Sequence, residues 1–373
     1  MCTKSNGFRP MLYRQAIAGF FLIFVCIMLI LLQSSYGVFA EYSRFQEPVW
    51  HPSENLIALS NGRSVRLYDD NLSEILDEFE LTTTQNPFIR TTALEWSPDG
   101  TMLGVTVQGS DFVPALQIWN IQTGQQIAQI SDISVSAAFS WGVNSNQLAV
   151  VYVRGLGDVA IRIYNVPDVD IFTEFEIDDQ LGNIDNIRWS PDGRYLAVSR
   201  GNTLYLLDVQ SGRFSTSAVS LLGSSENPRF LFSPDSQYLI GVTDPDAIKV
   251  TILNVATGQI AYTLVGHADR ILSVNWVDQY IGTVSLDGVT KIWSPTTFDE
   301  ILSLQTGITS LPSFSPDGRA FVASASDFNT VVVRSSETGA IIASLDPIEV
   351  TPTFTPTATN MFNCKDRIGV GSS

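Results

Sequence analysis

Cysteine is nearly missing from the chain. Of the three present, Cys2 precedes a hydrophobic run, Cys26 lies inside it and Cys364 is in the C-terminal tail. The long stretch between them can hold no disulfide staple and no thiolate metal site, and a large core does not need either. Histidine is scarcer still: with only His51 and His267, a multi-histidine metal centre is excluded. Charge is sparse and one-sided, since 16% of residues are charged and 21 Lys and Arg face 38 Asp and Glu, for a net charge of −17. No clustered Lys/Arg stripe exists to follow a phosphate backbone, so nucleic acid is not expected as a partner. Solubility and low nonspecific adhesion are the plainer consequences of the acidity. Convincing amphipathic helical periodicity is also missing after Glu41, which removes helical bundles and α/β folds.

What is present is a 45% hydrophobic share, enough for a sizeable core. One run stands apart: Ala16 to Leu32 is uncharged and apolar, with Lys4, Arg9 and Arg14 before it and Gln33, Ser34 and Ser35 after it. It reads as a targeting or anchoring segment whose basic flank stays on the cytoplasmic side. Two readings remain open. Val38-Phe39-Ala40 resembles a small-residue cleavage site, while the run is longer than most signal-peptide cores. Residues 1–40 are thus expected to be a signal peptide or signal-anchor helix. Everything after them is exported, either anchored in the cytoplasmic membrane and facing outward or secreted after cleavage at Ala40. At the other end, Thr351 to Thr359 is rich in Thr and Pro and opens a tail, 349–373, expected to stay extended.

Between the ends the chain repeats. Trp50, Trp96, Trp141, Trp189, Phe232, Trp276 and Phe314 each precede a turn, at spacings of 46, 45, 48, 43, 44 and 38 residues. That period is in the propeller range. After the aromatic comes Ser97-Pro98-Asp99-Gly100, echoed at Ser190-Pro191-Asp192-Gly193, Ser315-Pro316-Asp317-Gly318 and Ser233-Pro234-Asp235-Ser236. Proline presets one turn dihedral, aspartate caps the backbone and glycine accepts the left-handed region, so each copy joins two strands tightly. A short apolar strand follows, then another ending at a polar residue, as in Val65 to Asp69, Leu116 to Asn120 and Thr251 to Asn254. A second turn carries Thr123-Gly124, Ser211-Gly212, Thr257-Gly258 or Thr338-Gly339, and a fourth strand closes the unit. Strands apolar on both faces fit sheets sandwiched between neighbours, and closing seven of them into a ring buries both faces of all. The expectation is an all-β, seven-bladed propeller of four-stranded antiparallel blades over 41–348, preceded by the N-terminal hydrophobic helix. Both chain ends supply four candidate strands, so closure is expected from side-chain packing alone.

The unit from Gly266 to Trp293 carries a Gly-His pair, a strand, an Asp-Gly turn and a terminal Trp, and it resembles the WD-repeat β-propeller family, of the bacterial exported type. The resemblance spans about Phe45 to Leu345, strongly in repeat length and turns and weakly in the family's hallmark dipeptide. It implies a buried structural hydrogen-bond set of His267, Thr283 or Ser285, Asp287 and Trp293. Physically, the carboxylate can accept from one histidine nitrogen while the other nitrogen and the indole find partners around the hydroxyl. His51 sits in an opening turn, so no other blade can repeat the full set. In the seventh unit Arg334 and Ser335 replace the aromatic-Asp pair, and that strand is expected to be less deeply buried.

Propellers also host enzymes, and fold alone does not decide function. The adjacent cysteine pair of quinoprotein dehydrogenases, the repeated turn of sialidases and the nucleophile elbow of appended hydrolase domains are all without counterparts. The leading expectation is a noncatalytic protein- or peptide-binding scaffold, a monomeric ring with no cofactor and no catalytic or metal-ligating residues. The resemblance places recognition on the face formed by the loops between blades and the second-to-third strand loops. Mapped onto this chain it comprises Phe88, Arg90, Asp111, Phe112, Arg154, Arg200, Asp244, Arg270 and Phe328, arginines and aromatics being the residue types of interface hot spots. The alternative is an exported hydrolase or lactonase-like enzyme with a carboxylate-bound divalent cation, drawing on loop acids such as Asp178, Asp179, Asp185 and Asp287.

Overall fold

Seven consecutive four-strand units account for the described chain. The computed structural model describes residues 48–81, 90–108, 114–131, 133, 138–154, 158–176, 184–200, 203–214, 219–220, 230–242, 247–307, 312–324 and 330–345. The apolar run at Ala16 to Leu32, its expected helix and the Thr/Pro-rich tail lie outside these residues. Blade 1 comprises β1 (Val49–Trp50), β2 (Leu56–Ser60), β3 (Ser64–Asp69) and β4 (Ile75–Glu80). Blade 2 comprises β5 (Arg90–Trp96), β6 (Met102–Gln108), β7 (Pro114–Asn120) and β8 (Gln125–Ile130). Blade 3 follows with β9 (Phe139–Trp141), β10 (Gln147–Arg154), β11 (Asp158–Asn165) and β12 (Asp170–Glu176). Blade 4 has β13 (Asn186–Trp189), β14 (Tyr195–Arg200), β15 (Thr203–Asp208), β16 (Arg213–Phe214) and β17 (Val219–Ser220). Blade 5 has β18 (Phe230–Phe232), β19 (Tyr238–Val242), β20 (Lys249–Asn254) and β21 (Ile260–Val265). Blade 6 is β22 (Ile271–Trp276), β23 (Ile281–Ser285), β24 (Val289–Trp293) and β25 (Glu300–Gln305), and blade 7 is β26 (Ser313–Phe314), β27 (Ala320–Ser324), β28 (Val331–Ser335) and β29 (Ile341–Leu345). Each blade is an antiparallel meander in chain order.

The seven repeated aromatics are each the last residue of a first strand, and all seven are buried. First strands touch at six of the seven junctions, including β26 against β1, and at the seventh Asn275 of β22 donates to Pro312 O just before β26, so they form the inner wall of a closed ring. The second and third strands carry the core, with Ile57, Leu103, Leu148, Leu196, Ile281 and Phe321 fully buried. Fourth strands lie outermost and expose Ile75, Phe172, Ile260 and Ile341. These outer edges are blunted. In six blades one residue of the fourth strand is skipped in the pairing, for example Leu76 between Ile75 and Asp77 and Ile301 between Glu300 and Leu302. Such bulges twist an edge away from strand addition.

The Ser-Pro-Asp-Gly turns work as their composition predicts. Ser97 Oγ donates to Asp99 Oδ1 at 2.7 Å and accepts Met102 N–H at 2.9 Å, while Asp99 Oδ1 accepts Thr101 N–H at 3.0 Å. The same bonds recur at Ser190, Ser233 and Ser315. The fourth turn position also joins blades. Ser145 and Ser236, held at φ of 59° and 60°, accept the N–H of Asp99 and Asp192 from the preceding blade. Where that position is Gly100, at φ 73°, its carbonyl accepts from His51 Nε2 of blade 1 at 3.1 Å. His51 Nδ1 accepts Ser53 and Glu54 N–H, which fixes the ring as the neutral Nε2–H tautomer. The polar residue ending a third strand caps the next turn: Asp69, Asn120, Asp208 and Asn254 each accept a backbone N–H three or four residues on.

In blade 4 the outer side pairs in two pieces, Phe214 with Leu207 and Val219 with Leu204, so five steps on the outer side match three on the inner. One expectation is corrected. In blade 7 the third strand is not shallow. Val331, Val332 and Val333 are buried, and the loosening is confined to Arg334 and Ser335. Arg334 folds its Nη1 back onto Gly339 O at 2.9 Å, so its stem takes the aromatic's place without unseating the strand. Blades 7 and 1 meet through Trp50 N–H donating to Ser313 Oγ at 2.8 Å. Each has its own complete sheet, so no strand crosses the join.

Candidate functional site

In blade 6 the structure brings four of the sequence-derived residues into one chain of bonds. Trp293 Nε1 donates to Thr283 Oγ1 at 2.9 Å, Thr283 Oγ1 lies 2.8 Å from His267 Nε2, and His267 Nδ1 lies 3.2 Å from Asp287 Oδ2. Every atom is satisfied if the histidine is neutral with its proton on Nδ1: indole to hydroxyl, hydroxyl to Nε2, Nδ1 to carboxylate. Thr283 rather than Ser285 is the hub. Ser285 Oγ instead donates to Asp269 O at 2.7 Å and accepts Asp287 N–H at 3.2 Å, which ties the Asp-Gly turn to the loop entering the blade. Burial holds His267 below the ordinary imidazole range against the pull of Asp287. Burial pushes Asp287 the other way, but the N–H groups of Ala268 and Val289 and the neighbouring His267 outweigh it and hold the carboxyl below its usual range. Both oxygens of Asp287 are thus engaged by its own blade. Blade 2, which has no histidine, turns Trp119 Nε1 onto Gln117 Oε1 at 3.3 Å.

The inner wall holds a second arrangement that sequence reading missed. The residue before each repeated aromatic, namely Val49, Glu95, Ser140, Arg188, Leu231, Asn275 or Ser313, stands on the strand face opposite the buried aromatic. Six of these are half-buried and Ser140 is buried. An innermost strand has an unpaired edge, and the polar members of this column serve it. Ser313 accepts Trp50 N–H, Ser140 accepts Trp189 N–H at 3.0 Å, and Glu95 Oε1 accepts Trp141 N–H at 3.3 Å. In return Trp96 and Trp141 donate Nε1 to Val49 O and Glu95 O of the preceding blade. Glu95 Oε2 also meets Arg188 Nη1 at 3.3 Å, joining blade 2 to blade 4 past blade 3. Burial raises the Glu95 carboxyl above the ordinary range, against the attraction of Arg188 and the Trp141 N–H. The position was legible as a repeat column, but the pair lies 93 residues apart and no local pattern announces it.

Of the recognition face, Phe88, Asp111, Phe112, Asp244 and Phe328 lie outside the described residues. Backbone register places Arg90 at the start of β5 and Arg154 and Arg200 at the ends of β10 and β14, all away from the Ser-Pro-Asp-Gly turns. Arg270 is exposed just before β22. Among the described residues no group of three or more His, Cys, Asp or Glu is arranged to hold a metal ion, and Asp178 and Asp179 lie outside them.

Comparison with known proteins bears on the fold. The chain overlays on a chain of the "Crystal Structure of Mitotic Checkpoint Complex" with a TM-score of 0.58 at 18% identity, covering 76% of this chain and 88% of that one. The two chains share a fold, here a ring of seven antiparallel four-stranded blades. Among curated proteins, the propeller is similar to the anaphase-promoting complex subunit cdc20 of Dictyostelium discoideum, 25% identical over 288 residues, which is 74% of this chain and 54% of the relative. It is also similar to Protein HIR1 of Mycosarcoma maydis, 27% identical over 177 residues, 46% of this chain and 14% of the relative. COMPASS component SWD3 of Saccharomyces cerevisiae is 30% identical over 108 residues, 28% of this chain and 32% of the relative. The chain therefore spans little more than half, or less, of the curated relatives it matches. No protein-family model matches it.

Proposed function

We propose that this propeller is a noncatalytic scaffold that binds a protein or peptide, presented outside the cytoplasmic membrane by its N-terminal segment. The observation that carries the reading is the use of the chain's reactive side chains as structure. His51 links two blades, His267 and Asp287 are locked inside blade 6, and the turn aspartates cap their own backbones. Two relatives are named for assemblies, the anaphase-promoting complex and COMPASS, and the structural match sits in a third. That supports a protein partner. The partner face is the end of the ring bearing Arg90, Arg154, Arg200 and Arg270, opposite the turns rich in Asp99, Asp192, Asp235 and Asp317.

The test is recovery of partners by the full chain after mild crosslinking, comparing Arg154→Ala with Arg200→Ala in one molecule against Arg194→Ala with Arg213→Ala at the other end. Loss of partners in the first pair alone is expected. Retention of every partner by the first pair would remove the face.

A further inference from the structure

The inner wall carries a charge its packing does not need. Ser140 and Ser313 take the next blade's N–H with a neutral hydroxyl, whereas the equivalent position in blade 2 does so with the carboxylate of Glu95. Its counter-ion is also used asymmetrically. All the hydrogen bonds of the Arg188 guanidinium, to Glu95 Oε2, Phe139 O and Ile187 O, come from Nη1. Nε and Nη2 have no partner among the described residues, and together they form the side-on fork that fits a carboxylate with two parallel bonds. Both side chains of the pair, on the inner wall of the ring, are 28% exposed, so water and small solutes reach them. The other residues of the same column, Val49, Ser140, Leu231, Asn275 and Ser313, are uncharged.

We propose that the central channel binds a carboxylate on the free Nε and Nη2 edge of Arg188, and that Glu95 takes up one proton as it does so. With Glu95 ionised, Arg188 is already neutralised and an arriving anion meets a second carboxylate. Once Glu95 is protonated, the guanidinium is the only net charge in the column and its Nε and Nη2 edge is open to an anion. The oxygen chemistry stays satisfied: Oε1 still accepts Trp141 N–H, and the proton sits on the oxygen turned toward Arg188 or the channel. Among the flanking strands β1, β6 and β9 carry no titratable group and β13 carries only Arg188. β10 and β14 carry Tyr152, Arg154, Tyr195 and Arg200, but the residues paired with Ser140 and Arg188 are Ala149 and Ala197. On β5 itself Arg90 is five residues away, at the start of the strand. Burial already favours the protonated acid, which moves the uptake to higher pH than for a free glutamate carboxyl.

A small free carboxylate and the terminal carboxylate of a peptide present the same group. Acetate and N-acetyl-triglycine are therefore the two probes, with N-acetyl-triglycine amide as the uncharged blank. Calorimetry on the full chain in two buffers of different ionisation heat counts the protons. The expected result is one proton taken up per carboxylate bound, with affinity rising about tenfold per pH unit of acidification while Glu95 is ionised. Tighter binding of the tripeptide than of acetate identifies a peptide end as the source, and equal binding a free carboxylate. Glu95→Gln should bind either probe with no proton uptake and a flat pH profile. Arg188→Gln should lose both while keeping a single cooperative thermal transition. Binding that survives Arg188→Gln, binding without proton uptake in the wild type, or no binding of either carboxylate overturns the proposal.

Discussion

Replacing Gly100 by alanine should injure the ring in a way that an identical replacement at Gly318 does not. Both glycines occupy the fourth turn position with φ of 73° and 68°, so both substitutions force a Cβ into the left-handed region at about 1 kcal/mol. The neighbours differ. At Gly318 the added carbon meets the free end of Gln279, with Oε1 at 2.7 Å, and a flexible carboxamide can swing aside. At Gly100 the Cβ falls on the His51 ring, which is pinned by two backbone N–H groups and packs edge-on against Trp96 at 4.7 Å. Displacing it breaks buried hydrogen bonds worth about 1–3 kcal/mol as a set of unsatisfied groups and an aromatic contact of about 1 kcal/mol. The variants should therefore differ by about 2–4 kcal/mol in urea denaturation followed by tryptophan fluorescence, with Gly100→Ala the weaker. Adding His51→Ala to both should erase most of the gap. Equal destabilisation of the two single variants would refute the claim that the turns of blades 1 and 2 are locked through His51.

Further outcomes follow from the same geometry. Thr283→Val keeps the shape of blade 6 but leaves the Trp293 indole N–H and His267 Nε2 unpaired in the core, so thermal denaturation should show a loss of about 2–3 kcal/mol, and Ser285→Ala a smaller one. On acidification, the depressed carboxyls of Asp99, Asp287 and Asp317 contribute stability that is present at neutral pH and lost as pH falls through their folded range. Glu95 has the opposite sign: its raised folded pKa means the native chain binds that proton more tightly, so its contribution is gained as pH falls. Wild type should thus gain on Glu95→Gln as pH is lowered from neutral through the raised range, and a constant difference between their denaturation midpoints would contradict that assignment. A fragment of residues 48–345 should unfold in one transition by fluorescence and circular dichroism alike, because blades 1 and 7 each hold a full sheet and meet through side chains. Separate transitions would mean the join needs residues beyond it.

How much of this was legible depends on how local the cause is. The aromatic that ends each inner strand, the Pro and Gly of the turns and the Asn or Asp closing each third strand act within a few residues, so the blade grammar could be read directly. The full hydrogen-bond set was readable in blade 6 because it recurs as a known combination of residue types, although only the structure separates Thr283 from Ser285. What was hidden is set by neighbours in space. Ser145 and Ser236 look like worn copies of a glycine until their bonds to the preceding blade are seen. Glu95 and Arg188 look like two unrelated strand charges until closure of the ring sets them on one wall. The division of the outer strand of blade 4 depends on two extra residues in a polar stretch with no turn signal of its own.

The central claim, that the arginine-bearing end of the ring is where a partner sits, is tested most directly by placing a photo-crosslinking residue at Arg154 in one sample of the full chain and at Arg194 in another. The account predicts a specific crosslinked partner from position 154 and none from 194. A partner captured only from 194 would contradict it.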